Sequence, residues 1–228
     1  MPHFEIHVQD LIVAIKAKGG READLAPLFL RLSADVITGF MFGKSIRSLA
    51  RAESIDTKFM DAFQGAQDGG EARFRMGVFA DWMPGQEKFW ESVKWVHAFM
   101  DEHVDEALRV HRATKQRASE SLGDEKGSKE EKGGYIFLQE IAKMTDDREV
   151  LRDELLTIFF AGRDSTAATL TNLFFNLARK PDVWQRLREE VMLKLRGDLP
   201  SFPQLKELDY LQNCINESKF SNFLPNLL

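Results

Sequence analysis

Leu155-Leu156-Thr157-Ile158-Phe159-Phe160-Ala161-Gly162-Arg163-Asp164-Ser165-Thr166-Ala167 decides how this chain is read. It sets an acid and two hydroxyls inside an otherwise apolar helical pattern. Asp, Ser and Thr are poor helix-interior residues because their side chains compete for backbone hydrogen bonds. Gly162 costs about 1 kcal/mol more than Ala there. The pattern extends in both directions without a break. Thr145 serves as the expected N-cap, with Asp146, Asp147 and Glu149 in the first turn, where acids suit the helix dipole. Arg179-Lys180 close the other end, before Pro181. The span, about residues 147–179, makes a rod of roughly 50 Å. Three consecutive polar residues fan across roughly 200° of such a helix, so one or two of Asp164, Ser165 and Thr166 can share a face. Small residues at Ala161, Gly162, Ala167 and Ala168 flatten a strip of it. Two readings stay open. The strip is a groove for a planar group, with an acid and a hydroxyl to relay protons. Otherwise it is a small-residue helix crossing, with Asp164 in a salt bridge and the hydroxyls bonded to carbonyls one turn back.

Working outward, apolar residues recur at helical spacing nearly everywhere. Residues 4–18 place Phe4, Val8, Leu11, Ile12 and Ile15 on one side, ending at Gly19-Gly20. Residues 24–42 carry a stripe that includes Leu25, Phe29, Leu32, Val36 and Phe40, with Gly43 as the stop. Two helices are predicted over 53–69 and 71–84, and a long one over 86–113 with Val96, Met100, Val104 and Leu108 inward. Residues 114–134 are charged and nearly free of apolar side chains, which predicts a flexible loop. A short helix follows over 135–144. Pro181 opens another as its first residue, and Leu205 to Glu217 forms a last one. No segment reads as a strand, so the fold class is all-α.

Composition narrows the function. Hydrophobic residues make up 43% of 228, and the net charge of -5 offers no basic stripe for nucleic acid. The single cysteine, Cys214, excludes an intrachain disulfide. No apolar run is long enough to span a bilayer, and no signal peptide precedes Phe4. His3 and His7 stand four apart, a spacing that can bind metal on a helix, but no third ligand is evident. His97, His103 and His111 share no ligand spacing. Asp101 to Glu106 reads as the solvated face of a long helix. Gly77 to Pro84 suits core packing better than a membrane surface. No phosphate-loop, nucleophile-elbow or paired-cysteine motif occurs.

Ala161-Gly162-Arg163-Asp164-Ser165-Thr166 resembles the oxygen-activation motif A-G-x-(D/E)-T-(T/S) on the long central I helix of the cytochrome P-450 heme-thiolate monooxygenases. The likeness continues through Leu177-Ala178-Arg179-Lys180-Pro181, Trp184, Leu187, Glu189, Glu190 and Val191. It extends to Leu205 to Ser218, which is similar to the approach to the K helix. Asp24 to Gly43 resembles the E-helix region and Trp82 to Leu108 the G-helix region. The surroundings of Arg163 resemble the fungal alkane and fatty-acid hydroxylase branch. The resemblance implies the mainly α part of that fold and hydroxylation of a lipophilic substrate. It implies heme b as cofactor and an NADPH-cytochrome reductase as partner. Asp164, Ser165 and Thr166 would take the proton-relay and oxygen-activation positions, and Ala161 and Gly162 the heme face. Phe160 would line a lipophilic pocket. Ser165 stands where the family usually has Thr, keeping the hydroxyl and losing the methyl that fixes its rotamer.

The sequence also departs from the family. Glu217 matches the Glu of the K-helix E-x-x-R, but Phe220 stands in the Arg position, and 219–228 resembles nothing in the family. No Phe-x-x-Gly-x-Arg-x-Cys-x-Gly loop occurs to supply the axial thiolate, and Cys214 does not occupy that context. The expectation is one partial domain over 1–228, reaching from about the D helix to the start of the K helix. Stable heme binding and activity are not expected of it as it stands. The alternative is a non-catalytic all-α chain that binds a lipophilic ligand or a partner protein. Family members usually sit on the endoplasmic reticulum membrane, facing the cytosol. Without a recognisable anchor, this chain is assigned to the cytoplasm or left unplaced.

Overall fold

The computed structural model describes residues 2–50, 55–82, 84–120 and 135–220. Every regular element among them is helical, as the spacing predicts: α1 Pro2–Lys16, α2 Ala26–Phe42, α3 Ile55–Met76 with a following 3-10 turn Gly77–Trp82, α4 Gln86–Glu120, α5 Phe137–Ile141, α6 Arg148–Arg179, α7 Pro181–Leu195, α8 Phe202–Lys206 and α9 Asp209–Phe220. They form two compact units, 1–23 with 31–163, and 24–30 with 164–228. The continuous helices α2 and α6 each contribute a segment to both.

The first unit is built on aromatic packing. Phe59 stacks on Phe99 at 4.1 Å between ring centroids and meets Phe159 edge-on at 5.2 Å. Phe63 closes on Phe159 at 4.7 Å. Met41, Met100, Val104, Leu151 and Leu155 fill the space around them. Burying each such side chain contributes about 1.5–3 kcal/mol. Helices α3 and α4 approach closely because α3 carries glycines on the facing side. A Cβ at Gly65 would come within 2.7 Å of the Ser92 hydroxyl, and one at Gly69 would overlap the Phe89 ring. Polar ties fix the ends. Asp35 on α2, fully buried, accepts the backbone N–H of Ser48 at 2.6 Å and of Leu49 at 3.1 Å. The Thr38 hydroxyl donates to the Ala34 carbonyl at 2.7 Å and accepts from the Ile46 N–H at 3.3 Å.

The second unit packs Leu173 and Leu177 of α6 against Leu187 of α7, with Tyr210 and Leu211 of α9 beside them. Phe174 lies 5.3 Å from the ring of Phe29 and 6.3 Å from that of Trp184. Glu190 of α7 accepts from the backbone N–H groups of Tyr210 and Leu211 at 3.0 and 3.1 Å, capping the start of α9.

Several boundaries differ from the sequence expectation. Helix α6 starts at Arg148, so its cap is Asp147, not Thr145. The Asp147 carboxylate accepts from Glu149 N–H at 3.0 Å and Val150 N–H at 3.3 Å, while the Thr145 hydroxyl accepts from Asp147 N–H. The flexible loop placed at 114–134 starts later, because α4 runs through Lys115 to Glu120; these residues are mostly good helix formers. The rest of that stretch lies outside the described residues. The predicted helices 53–69 and 71–84 are one helix through Gly69-Gly70 and a 3-10 turn. Gly77 to Pro84 does not pack into the core. Val78 is 91% exposed and Trp82 84%, and only Ala80 is buried. The last helix divides into α8 and α9, with the buried Leu208 at the break. On α1 the buried side chains are His7 and Leu11, while Phe4, Val8 and Ile12 face outward. Asp101 is not solvated either. Its side chain is 14% exposed and meets Arg148 at 3.3 Å and Arg152 at 3.5 Å.

Candidate functional site

The run that opened the sequence lies in the interior of α6. The unit division falls between Arg163 and Asp164, so Ala161 and Gly162 are described with the first unit and Asp164 to Thr166 with the second. The helix itself is continuous. Ala161 and Ser165 stand one turn apart, and both are exposed, as is Ala168 three residues on. Asp164 is half-buried at the edge of this row. Thr166 is exposed too, but it points about 100° from Ser165, off the row. The three polar residues are therefore brought onto one element but not onto one face. Ala161, Asp164 and Ser165 share a strip, and Thr166 does not.

Gly162 answers the question of groove or crossing in a divided way. A Cβ built on it would come within 3.0 Å of Ile37 Cδ1 on α2 and 3.4 Å of Cγ1. The glycine thus serves a close helix approach. The exposed strip one residue away stays flat because Ala161 and Ala168 carry only methyls. Both readings hold, on adjacent faces of one helix.

Arg163 is the residue that sequence reasoning missed. Its side chain is buried, at 3% exposure. One guanidinium nitrogen donates to Gln64 Oε1 at 3.1 Å and the other to Gln67 Oε1 at 3.4 Å. Its central carbon lies 5.4 Å from the centre of the Phe63 ring. A cation between Gly and Asp gives no burial signal in the sequence. The available hint is Gln64 and Gln67, three apart on α3 and so on one face.

Phe63, Gln67, Val93, Leu156 and Phe160 line a cavity of about 220 Å³ in the first unit, beside His97. Phe160 is thus where the sequence expectation put it, on a largely apolar pocket. In the second unit a cavity of about 250 Å³ is lined by Leu173, Leu177, Val183, Tyr210, Cys214 and Glu217, among others. Burial raises the Cys214 thiol above its ordinary pKa, the nearby Glu190 carboxylate adds to this, and Arg186 opposes it. A thiol held protonated is poorly prepared to ligate metal. His103 stacks on Phe42 at 4.0 Å and lies 2.9 Å from the Phe99 carbonyl through Nδ1. Among the described residues, no three His, Cys, Asp or Glu side chains group as a metal site. The His3 side chain lies outside the described residues. No described helix is long and apolar enough to cross a membrane.

Comparison with known proteins agrees with this architecture. The chain is 36% identical over 215 residues to cytochrome P450 monooxygenase himC of Aspergillus japonicus, covering 94% of this chain and 37% of that protein. It is 37% identical to cytochrome P450 52A4 of Candida maltosa, covering 94% of this chain and 40% of that one. It therefore spans about two-fifths of the length of these relatives. The solved heme domain of cytochrome P450DA superposes with a TM-score of 0.70 at 20% identity, over 96% of this chain and 44% of that structure. The family model described as cytochrome P450 matches residues 1–219, and the chain belongs to the cytochrome P450 family.

Proposed function

We propose that this chain forms part of a heme-dependent monooxygenase that hydroxylates a lipophilic substrate such as a fatty acid or an alkane. The observation that carries the reading is the exposed strip of α6, two methyl-sized residues bordered by an acid and a hydroxyl, in a chain of this family. The strip fits the face of a planar cofactor. Heme, when bound, supplies the iron that reduces molecular oxygen. Ala161 leaves room for a flat ring against the helix, and Gly162 holds the helix where it is by admitting Ile37. Asp164 exchanges protons with solvent at its carboxylate. Ser165 accepts and passes a proton through its hydroxyl, one residue on. Thr166 lies off the strip and has a lesser part. The pocket under Phe63 and Phe160 is apolar enough to hold an alkyl chain. A reductase fed by NADPH is the partner in this reading. The exposed Phe74, Val78 and Trp82 at the end of α3 suit contact with a membrane surface, where aromatic side chains concentrate.

A chimera carrying residues 4–218 in the frame of the Candida maltosa relative tests the assignment, with dodecanoic acid and dodecane as substrates. Asp164→Asn or Ser165→Ala is expected to lower product formation about 100-fold, the scale of a lost acid–base group. Thr166→Ala is expected to stay within about threefold. Loss of activity in Thr166→Ala alone would reverse the roles.

The state of Cys214 favours a second reading for the 228-residue chain by itself. Held as a thiol on a helix, it is not a thiolate ligand, and the chain then binds lipophilic molecules without catalysis. Hemin, dithionite and carbon monoxide decide this. A red-shifted band of the thiolate type, lost in Cys214→Ser, would assign the iron to Cys214 and end this reading.

A further inference from the structure

Arg163 has no place in the proposed relay, yet it is held on every side that the structure describes. Burying a guanidinium is costly unless its donors are satisfied. Here two neutral acceptors three residues apart on α3, Gln64 and Gln67, receive it, and the face of Phe63 lies against it. This fastens α6 to α3 at one point. The residue before it, Gly162, meets Ile37 of α2 so closely that a methyl group would have to displace that side chain. Successive residues of a helix point about 100° apart. The two contacts therefore grip α6 on two different flanks, within one residue of each other and inside one compact unit. Turning the helix one way drives its backbone past Ile37. Turning it the other way pulls the guanidinium off its glutamines.

We infer that Arg163 is a positioning residue which, with Gly162, fixes the rotation of α6 about its own axis and so selects which side chains occupy the exposed strip. A rotation of one residue's worth, about 100°, would exchange Ser165 for Thr166. The choice of the first hydroxyl over the second is then made on the opposite side of the helix, by a cation that never touches the strip. The functional meaning rests on the reading of the strip given above. The rotation itself does not, and it can be measured without heme or substrate.

The test uses the full chain in a Cys214→Ser background, with a cysteine placed in turn at 161, 165 and 166. The rate of reaction with a thiol-directed disulfide reports exposure at each position. Introducing Arg163→Met is expected to lower the rate at 161 and 165 by about threefold or more and raise it at 166, with helical circular dichroism unchanged. Arg163→Lys, which keeps the charge but not the fork, should fall between. Gly162→Ala should produce a shift at the same positions, and Ile37→Ala should reverse that shift. Rates within about twofold at all three positions in a folded variant would overturn the proposal. So would a uniform rise at all three, which marks general loosening. Should Arg163→Met not fold, Gln67→Leu and the Gly162→Ala/Ile37→Ala pair are read by the same criteria.

Discussion

Asp35 and Glu190 are both carboxylates that receive two backbone N–H groups, and their environments push them in opposite directions. Burial raises Asp35 above its ordinary value, against the lowering effect of the Ser48 and Leu49 N–H groups. For Glu190 burial also acts upward, but the Tyr210 and Leu211 N–H groups and Lys194 outweigh it and hold the carboxyl below its usual range. The consequences for stability differ in sign. Glu190 contributes stability that is present above the unfolded carboxyl pKa and lost as the pH falls through its lower folded value. Asp35 contributes stability below its unfolded pKa, and loses it as the pH rises through its raised value. Glu190→Gln should therefore cost about 1–3 kcal/mol near neutrality. It should also flatten the acid limb of the stability profile below about pH 4.3, read from urea midpoints across pH 3 to 6. Asp35→Ala leaves the buried Ser48 and Leu49 donors without their acceptor and should cost about 2–4 kcal/mol, measured by urea unfolding at pH 7. Neither residue announces its partner in the sequence, because Ser48 and Tyr210 lie 13 and 20 positions away.

At the scale of elements, the glycines of α3 make a controlled comparison. Gly69 faces Phe89 with no room for a methyl group, whereas Gly70 has open space around it. Gly69→Ala should destabilise by about 1–3 kcal/mol through overpacking. Gly70→Ala should stabilise by up to about 1 kcal/mol through helix propensity. Thermal unfolding of the pair decides whether the α3–α4 approach is as tight as it stands here. Sequence periodicity recovers the helices themselves, including the stop of α6 before Pro181, because each buries a regular stripe. It also reads the Gly69-Gly70 pair as a break, since propensity alone cannot see that Phe89 needs the missing side chain. The site divides in the same way. Ala161, Asp164 and Ser165 can be placed on one strip by counting at 3.6 residues per turn, and the family motif marks them. Arg163 cannot, because a lone cation on an apolar helix looks solvent-facing until α3 supplies Gln64 and Gln67. Gly162 looks like a ligand groove until Ile37 is seen beside it.

For the molecule as a whole, burial follows from how many neighbours a helix has. The stripes of α4 and α6 are covered from several sides, so Val96, Met100, Leu151 and Leu155 are inside as expected. The end of α3 and its 3-10 turn extend past any second packing surface, and Phe74, Val78 and Trp82 stay outside although their spacing is equally helical. Replacing these three by Ser should reduce sedimentation with phosphatidylcholine vesicles at least tenfold while leaving the thermal midpoint within a few degrees. Equal sedimentation of both proteins would remove the membrane from the proposed function. The same cluster has a plain consequence at the bench. A protein carrying its greasiest side chains on one protruding turn spreads at an air–water surface with that turn leading. Dilute solutions should then lose material to foam and tube walls, and a trace of non-ionic detergent should restore it.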